Sequence, residues 1–165
     1  MKQLIDSVES SLKERNWPAA LNSTLTLPDI AGKISYPITA SGKRYADWFD
    51  EYVGAKYKSE VGAGHNVHTF LSGKDCYALR CSLLHEGSSN IKEQSAKDVL
   101  DDFMFVAPPK SGSVHCNQFN QKLQLQVDIF CNDILRGLKQ WIKDIDKDPV
   151  KQSNLRNLMK IHQIM

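Results

Sequence analysis

Residues 75–89 read DCYALRCSLLHEGSS, and this stretch decides how the rest of the chain is interpreted. The stretch is apolar nearly all round at helical spacing, and Gly87 follows as a stop, so a buried helix is predicted over residues 73–86. We expect it to be the most buried element of the fold. An unpaired guanidinium is costly to bury, so Arg80 requires a carboxylate, a bound anion or a wet cleft.

The position of His85 leaves two interpretations open. Five helical positions separate it from Arg80, about 7.5 Å along the axis and about 140° around it, so the two side chains do not share one face. On one interpretation Arg80 forms a structural ion pair with Glu86, Asp101 or Asp102, and His85 caps the helix end. On the other, both side chains meet at a phosphate, with help from a relaxed helix end or another element.

Outward from this helix the pattern is mainly helical. Apolar residues at helical spacing predict helices at 2–15, from Pro18 onward, at 43–53 and at 127–146. The aromatic stripe of 43–53 is expected in the core. Asp148 followed by Pro149 has the form of an N-cap and a first helical position, so the tail at about 149–165 is read as one more helix.

Loops and strands fill the remaining stretches. Proline and glycine between Pro28 and Gly42 predict a loop, and Gly62–His68 is read as a second one. The short apolar bursts VLDDFMFVAP and KLQLQVDIF predict two antiparallel strands in a small hairpin. The expected fold is one mainly α-helical domain over 1–165 with a small antiparallel hairpin.

Composition excludes several classes of protein. The 165 residues carry a formal net charge of +2, which gives no global attraction to nucleic acid or to an anionic membrane. No window has the apolar length of a membrane helix or a signal peptide. The four cysteines form no dense disulfide framework, so free thiols and a cytoplasmic location are expected, with no membrane partner.

A metal site is the least favoured chemistry. Cys76, Cys81 and His85 lie within ten residues, and His115 with Cys116 would complete a ligand set. Only Cys81 and His85 share a helix face, and the tight pairs typical of zinc sites are missing. We expect neither a metal nor a cofactor.

Beyond these local patterns, ALRCSLLHEG contains Arg-x4-His near the end of a long helix, and in this it resembles the defining motif of HEPN domains (higher eukaryotes and prokaryotes nucleotide-binding). The resemblance extends, in order, through LPDIAGKI, RYADWFDEYV, the run from Tyr77 to Ser88, and LKQW. It covers roughly residues 15–145, and over this range the chain is similar to small bacterial and phage proteins of that superfamily.

The resemblance implies a HEPN-like helical bundle that pairs as a homodimer, with two motifs lining one cleft. It implies a metal-independent endoribonuclease of toxin or phage-defence type, with RNA as substrate and a protein antitoxin as a further partner. His85 would be the general base or acid, Arg80 would hold the phosphate, and the products would be a 2′,3′-cyclic phosphate and a 5′-hydroxyl. Tyr77 and Cys81 are auxiliary candidates.

Cys81 departs from the family pattern, in which the residue after the arginine is usually polar, and a thiol is a poor hydrogen-bonding substitute. A catalytically inactive HEPN module that binds nucleotide, RNA or a protein partner is therefore the alternative, and a plain structural helical protein is the third. Oligomeric state separates the third from the other two, because the composite cleft needs two copies.

Overall fold

The computed structural model describes residues 1–62, 64–162 and 164. The helices and strands of these residues form a mainly α-helical protein, as predicted. The α-helices are α1 (Lys2–Lys13), α2 (Trp17–Ser35), α3 (Ser41–Tyr52), α4 (Gly73–Glu86), α5 (Val127–Asp144) and α6 (Pro149–Arg156). The strands are β1 (Lys58–Val61), β2 (Asn66–Thr69), β3 (Asp102–Val106), β4 (Asn117–Phe119) and β5 (Lys122–Gln126). Across the described ranges, no helix has both the length and the apolar character needed to span a membrane.

The predicted loop between Pro28 and Gly42 is wrong for its first part, because α2 continues through Pro28 to Ser35. Proline removes one backbone hydrogen bond from a helix interior and normally breaks it. Here Leu27, Pro28 and Ala31 are all buried, and burial of this apolar face offsets the local cost. Tertiary packing therefore overrides the local signal.

The β-structure also differs from the prediction. β1 and β2 form an antiparallel hairpin, so the predicted loop at Gly62–His68 is wrong for residues 66–68, which lie in β2. β3 pairs with β5 in parallel, so the predicted antiparallel pairing of these two segments is wrong. The segment read as their connector supplies β4, which takes the antiparallel place on β5. The resulting sheet has the order β3-β5-β4.

α4 begins and ends as predicted but is not the most buried element. The Ser72 hydroxyl accepts a hydrogen bond from the Asp75 amide at 3.2 Å, and Gly87 ends the helix in the left-handed region at φ 66°. α4 packs on α3 and α2, and Tyr77, Cys81 and Leu84 on this helix remain partly exposed. The central helix therefore has an accessible face.

The tail helix α6 is confirmed in its first part. The Asp148 carboxylate accepts hydrogen bonds from the amides of Val150 and Lys151 at the helix start. The helix ends at Arg156 instead of continuing along the predicted 149–165, and residues 163 and 165 lie outside the described part of the chain.

Three glycines bring other helices against the backbone of α3. A Cβ added to Gly32 of α2 would lie 2.7 Å from the Arg44 carbonyl oxygen, and one on Gly137 of α5 would lie 2.9 Å from that of Tyr52. At Gly73, the first residue of α4, the distance to the Ala46 carbonyl oxygen would be 2.3 Å. These positions therefore exclude any side chain.

Asp75 ties an irregular segment to α4. Its carboxylate is almost fully buried and accepts hydrogen bonds from the backbone amides of Asp98, Val99 and Leu100, at 2.7, 3.2 and 3.4 Å to Oδ1. A buried carboxylate with several amide donors keeps its charge compensated without a cation. The segment between α4 and β3 is thus held by a helix side chain.

His115 lies where the sheet meets α5. Its Nδ1 accepts a hydrogen bond from the Gln126 amide at 3.2 Å, which requires a lone pair on that nitrogen, and its ring packs on Tyr57 with centroids 5.6 Å apart. Burial lowers the pKa of His115 below its usual value of 6.5, against the opposing effect of Asp133 and Asp128. The fold therefore holds this imidazole neutral.

Replacing Gly73 with alanine should lower the free energy of unfolding by about 1–3 kcal/mol or more, since overpacking forces the α3–α4 contact apart. Gly54→Ala is the matched control, because the nearest atoms to its Cβ, from Asp50 and Phe49, would lie at 3.5 Å or beyond. Urea denaturation measures both. Equal unfolding midpoints for the two variants would contradict the proposed close approach.

The stability of the protein should fall as the pH drops from about 7.5 towards 5, because the unfolded state then binds a proton that folded His115 binds more weakly. The loss is complete only below the lowered folded pKa. In His115→Gln this part of the pH dependence should disappear, while His162→Gln, in the exposed tail, should retain it. Urea midpoints at several pH values give the comparison, and parallel curves for wild type and His115→Gln would refute it.

Candidate functional site

Arg80 is held by a carboxylate from another helix. Its Nε donates a hydrogen bond to Asp29 Oδ2 of α2 at 2.7 Å, and the two side chains are 23% and 19% exposed. The ion pair is therefore partly buried at the α2–α4 contact. The requirement for a partner is confirmed, and the partner is Asp29.

The three partners suggested by the sequence are wrong. Glu86 contacts Ser82 and Gln94, Asp101 pairs with Lys97, and Asp102 pairs with Lys122. These carboxylates face the segment that follows α4 and the sheet, whereas Arg80 points towards α2. A helix brought near by folding supplies the counter-charge.

Arg80 and His85 meet within one chain. The Arg80 Nη1 atom donates to His85 Nε2 at 3.0 Å, although helix geometry places the two residues on different faces. The long arginine side chain spans the separation, so the expected help from a relaxed helix end or a second element is not needed for this contact. A guanidinium has donors only, so His85 Nε2 must be the acceptor in this contact.

The charge of the guanidinium is secured by its surroundings. Partial burial lowers the pKa of Arg80, but the Asp29 carboxylate and, to a smaller extent, the Cys81 sulfur outweigh this effect and raise it. The Nε and Nη1 contacts use two of the five N–H groups of an arginine. Arg80 therefore presents a fixed positive charge with hydrogen-bond donors to spare, which suits it to a phosphate.

The two auxiliary candidates occupy different places. Cys81 is partly exposed and lies close enough to Arg80 to affect the pKa of the guanidinium. Tyr77 instead contacts the start of α3, where its hydroxyl lies 3.3 Å from the Ser41 hydroxyl and its ring packs on Tyr45. The structure thus places Cys81 beside the candidate site and Tyr77 at the neighbouring helix contact.

The five residues of the alternative metal set are not brought together. Cys76 is fully buried against the Tyr45 hydroxyl, and burial raises the pKa of its thiol to about 12. His115 and Cys116 lie beside Tyr57 and α5 instead, and burial raises the pKa of Cys116 to about 11. Among the described residues, no group of three or more histidine, cysteine, aspartate or glutamate side chains is arranged to hold a metal ion.

Asp29 is the site residue that sequence reasoning missed. Asp29 lies in LPDIAGKI directly after Pro28, in the stretch predicted to be a loop. The prediction therefore did not place its carboxylate on the face of a helix. A helix that continues through Pro28 makes Asp29 an acidic residue flanked by the buried Leu27, Pro28 and Ala31. Such a residue signals a need for a counter-charge.

The coupling between Asp29 and Arg80 should be about 1–2 kcal/mol in a double-mutant cycle on unfolding free energy, because the pair is partly buried. The cycle uses Asp29→Ala, Arg80→Ala and the double variant. Lys43 and Asp47 form the control pair, since their side chains are 69% and 38% exposed, and should couple by less than about 0.5 kcal/mol. Equal coupling in the two pairs would show that Asp29 does not fix the guanidinium.

Comparisons of this chain with protein-family models, with curated proteins and with solved structures find no match. The resemblance to HEPN domains therefore stays a prediction that rests on the motif residues. What the site does is inferred from the contacts of Arg80, His85 and Asp29.

Proposed function

We propose that the protein is a metal-independent endoribonuclease of toxin or defence type that acts in the cytoplasm as a homodimer of HEPN-like bundles. One observation carries the proposal: a guanidinium fixed by Asp29 lies 3.0 Å from the Nε2 nitrogen of His85. A fixed cation beside a basic nitrogen is the pairing that phosphodiester cleavage by a ribose 2′-hydroxyl requires.

Substrate binding would change the contacts of His85. When a phosphate accepts hydrogen bonds from Arg80, the Nη1 contact to His85 is exchanged for a stronger, charge-assisted one. His85 Nε2 then has a free lone pair next to the bound phosphate. Asp29 keeps the guanidinium in place throughout, because it uses the Nε position.

The reaction proceeds by proton transfer and displacement at phosphorus. His85 Nε2 takes the proton of the 2′-hydroxyl, the 2′-oxygen bonds to phosphorus, and the bond from phosphorus to the 5′-oxygen breaks. The 5′-oxygen receives a proton from a protonated imidazole, which in a dimer is the second copy's His85. The products are a 2′,3′-cyclic phosphate and a 5′-hydroxyl, and Arg80 stabilises the charge that develops on the phosphate.

The alternative is a catalytically inactive HEPN module that binds nucleotide, RNA or a protein partner such as an antitoxin. Two features favour it. Cys81 stands where a polar residue is usual, and Arg80 already forms hydrogen bonds with Asp29 and His85 of its own chain. In this case Arg80 binds a phosphate without any proton transfer by His85.

Purified protein should cut a mixed-sequence RNA in excess EDTA and leave cyclic phosphate ends. His85→Ala should slow cutting by about 10²–10⁴-fold through loss of the general base. Arg80→Ala should slow it by about 10²–10³-fold through loss of charge stabilisation. His162→Ala, in the exposed tail, is the matched control and should cut at the wild-type rate.

Sedimentation of the same preparation reports the oligomeric state, and a monomer would refute the homodimer. A folded wild-type dimer that leaves every RNA intact would overturn the proposed ribonuclease activity, and the inactive binding module would then be the favoured function. Cys81→Asn is then the informative variant, since gain of cutting would locate the lost activity at that position.

A further inference from the structure

The outer edge of β3 is only partly paired. Backbone amides of a strand alternate in direction, so residues two apart face the same edge. The Phe103 amide donates to the Ser89 carbonyl at 3.2 Å, which places residues 89–91 along the first part of the edge that faces away from β5. The Phe105 amide faces the same edge, and among the described residues none accepts a hydrogen bond from it. An open edge of this kind is a template for a further strand.

An apolar cavity adjoins this open edge. It has a volume of 370 Å³, and its walls come from the start of α2, the end of α4 and the last part of β3. The described residues that line it are all uncharged, and they include Trp17, Leu21, Leu83, Phe105, Val106 and Val127. Peptides that add a strand to a sheet edge bind through their backbone and place side chains in pockets beside it. The cavity therefore suits an apolar side chain of a segment that pairs with β3.

The chain itself carries a segment with these properties. Residues 157–162, here called the tail segment, follow α6 and are neither helix nor strand. Gln3 holds the segment by its backbone: Gln3 Nε2 donates to the Ile161 carbonyl at 2.9 Å, and the Ile161 amide donates to Gln3 Oε1 at 3.1 Å. The side chains of Met159 and Ile161 are nevertheless 80% and 75% exposed. The contact within the chain thus satisfies the backbone and leaves the apolar side chains in water.

We propose that the tail segment of a second copy pairs with the open edge of β3 and places Ile161 in the apolar cavity. The exchange gives up the two hydrogen bonds to Gln3, regains backbone hydrogen bonds at β3, and buries an isoleucine side chain that is exposed within its own chain. A small apolar molecule would fill the cavity but cover the Phe105 amide without pairing it, which is costly. The inference goes beyond the proposed function and does not depend on it.

Charge favours the same occupant. Lys160 and His162 flank Ile161 in the tail segment. Glu86, beside the cavity-lining Gly87, is exposed, and its carboxylate accepts hydrogen bonds from the neutral side chains of Ser82 and Gln94. A basic segment therefore meets a carboxylate at the rim of the cavity, which assists association.

Tryptophan fluorescence reports occupation of the cavity. The protein has three tryptophans, of which Trp48 and Trp141 are fully buried, whereas Trp17 is partly exposed. A synthetic peptide of residues 156–162, RNLMKIH, should therefore change the fluorescence of the full-length protein to saturation, and Trp17→Phe should remove this signal. The same peptide with Ile161→Asp should bind about tenfold more weakly, because the cavity does not accept a charge.

Amide hydrogen exchange tests the strand pairing. A peptide concentration of about ten times the dissociation constant should slow exchange at the Phe105 amide about tenfold. The Met104 amide is the matched control, because it faces β5 and is already paired there.

Variants of the full-length protein test the tail segment itself. The Trp17 fluorescence should change with protein concentration, because the contact joins two copies. Gln3→Ala should move this change to several-fold lower concentration, since the segment is no longer held within its own chain, and Ile161→Asp should abolish the change. Val150→Asp is the control, since Val150 is an apolar residue of α6 that is 68% exposed.

Three outcomes would overturn the inference. Absence of a saturable response to the peptide would remove the cavity as a docking site. Saturable binding without slower exchange at Phe105 would exclude strand pairing. A Trp17 signal that is lost in Ile161→Asp but independent of protein concentration would place the tail segment in the cavity of its own chain instead of a second copy's.

Discussion

The arrangement of the helices depends on how closely three of them approach the backbone of α3. A Cβ on Gly32, Gly73 or Gly137 would lie within 2.9 Å of a backbone carbonyl oxygen of α3, closer than real Cβ atoms come. Because α2 and α4 both press on α3, their spacing relative to each other is also determined. The contact between Asp29 on α2 and Arg80 on α4 is a consequence of that spacing.

The candidate site is therefore built by packing as much as by its motif. Arg80 and His85 are separated by a short stretch of sequence, but the residue that fixes the guanidinium lies 51 positions earlier on another helix. Chemistry at this place is thus sensitive to changes at the buried glycines, although none of them touches Arg80.

Periodicity predicted the helices well because each buries a stripe of apolar residues that recurs with the helical repeat. It failed where long-range packing decides. Pro28 breaks a helix in isolation but is buried inside α2. β4 pairs antiparallel with one edge of β5, and β3 pairs in parallel with the other edge, an arrangement that strand patterning does not specify. The contact of Arg80 with His85 was underestimated because residue spacing describes Cα positions, whereas an arginine side chain reaches far beyond its own turn.

The Asp75 carboxylate gives the backbone amides of residues 98–100 an unusual kind of protection from hydrogen exchange. The amides of a sheet exchange their hydrogens when strands separate, but these amides are bonded to a side chain of α4. Their exchange with solvent is therefore linked to the local unfolding of α4 and to motion of the Asp75 side chain. Residues 98–100 have no regular secondary structure, yet through Asp75 they unfold together with α4 as one cooperative unit.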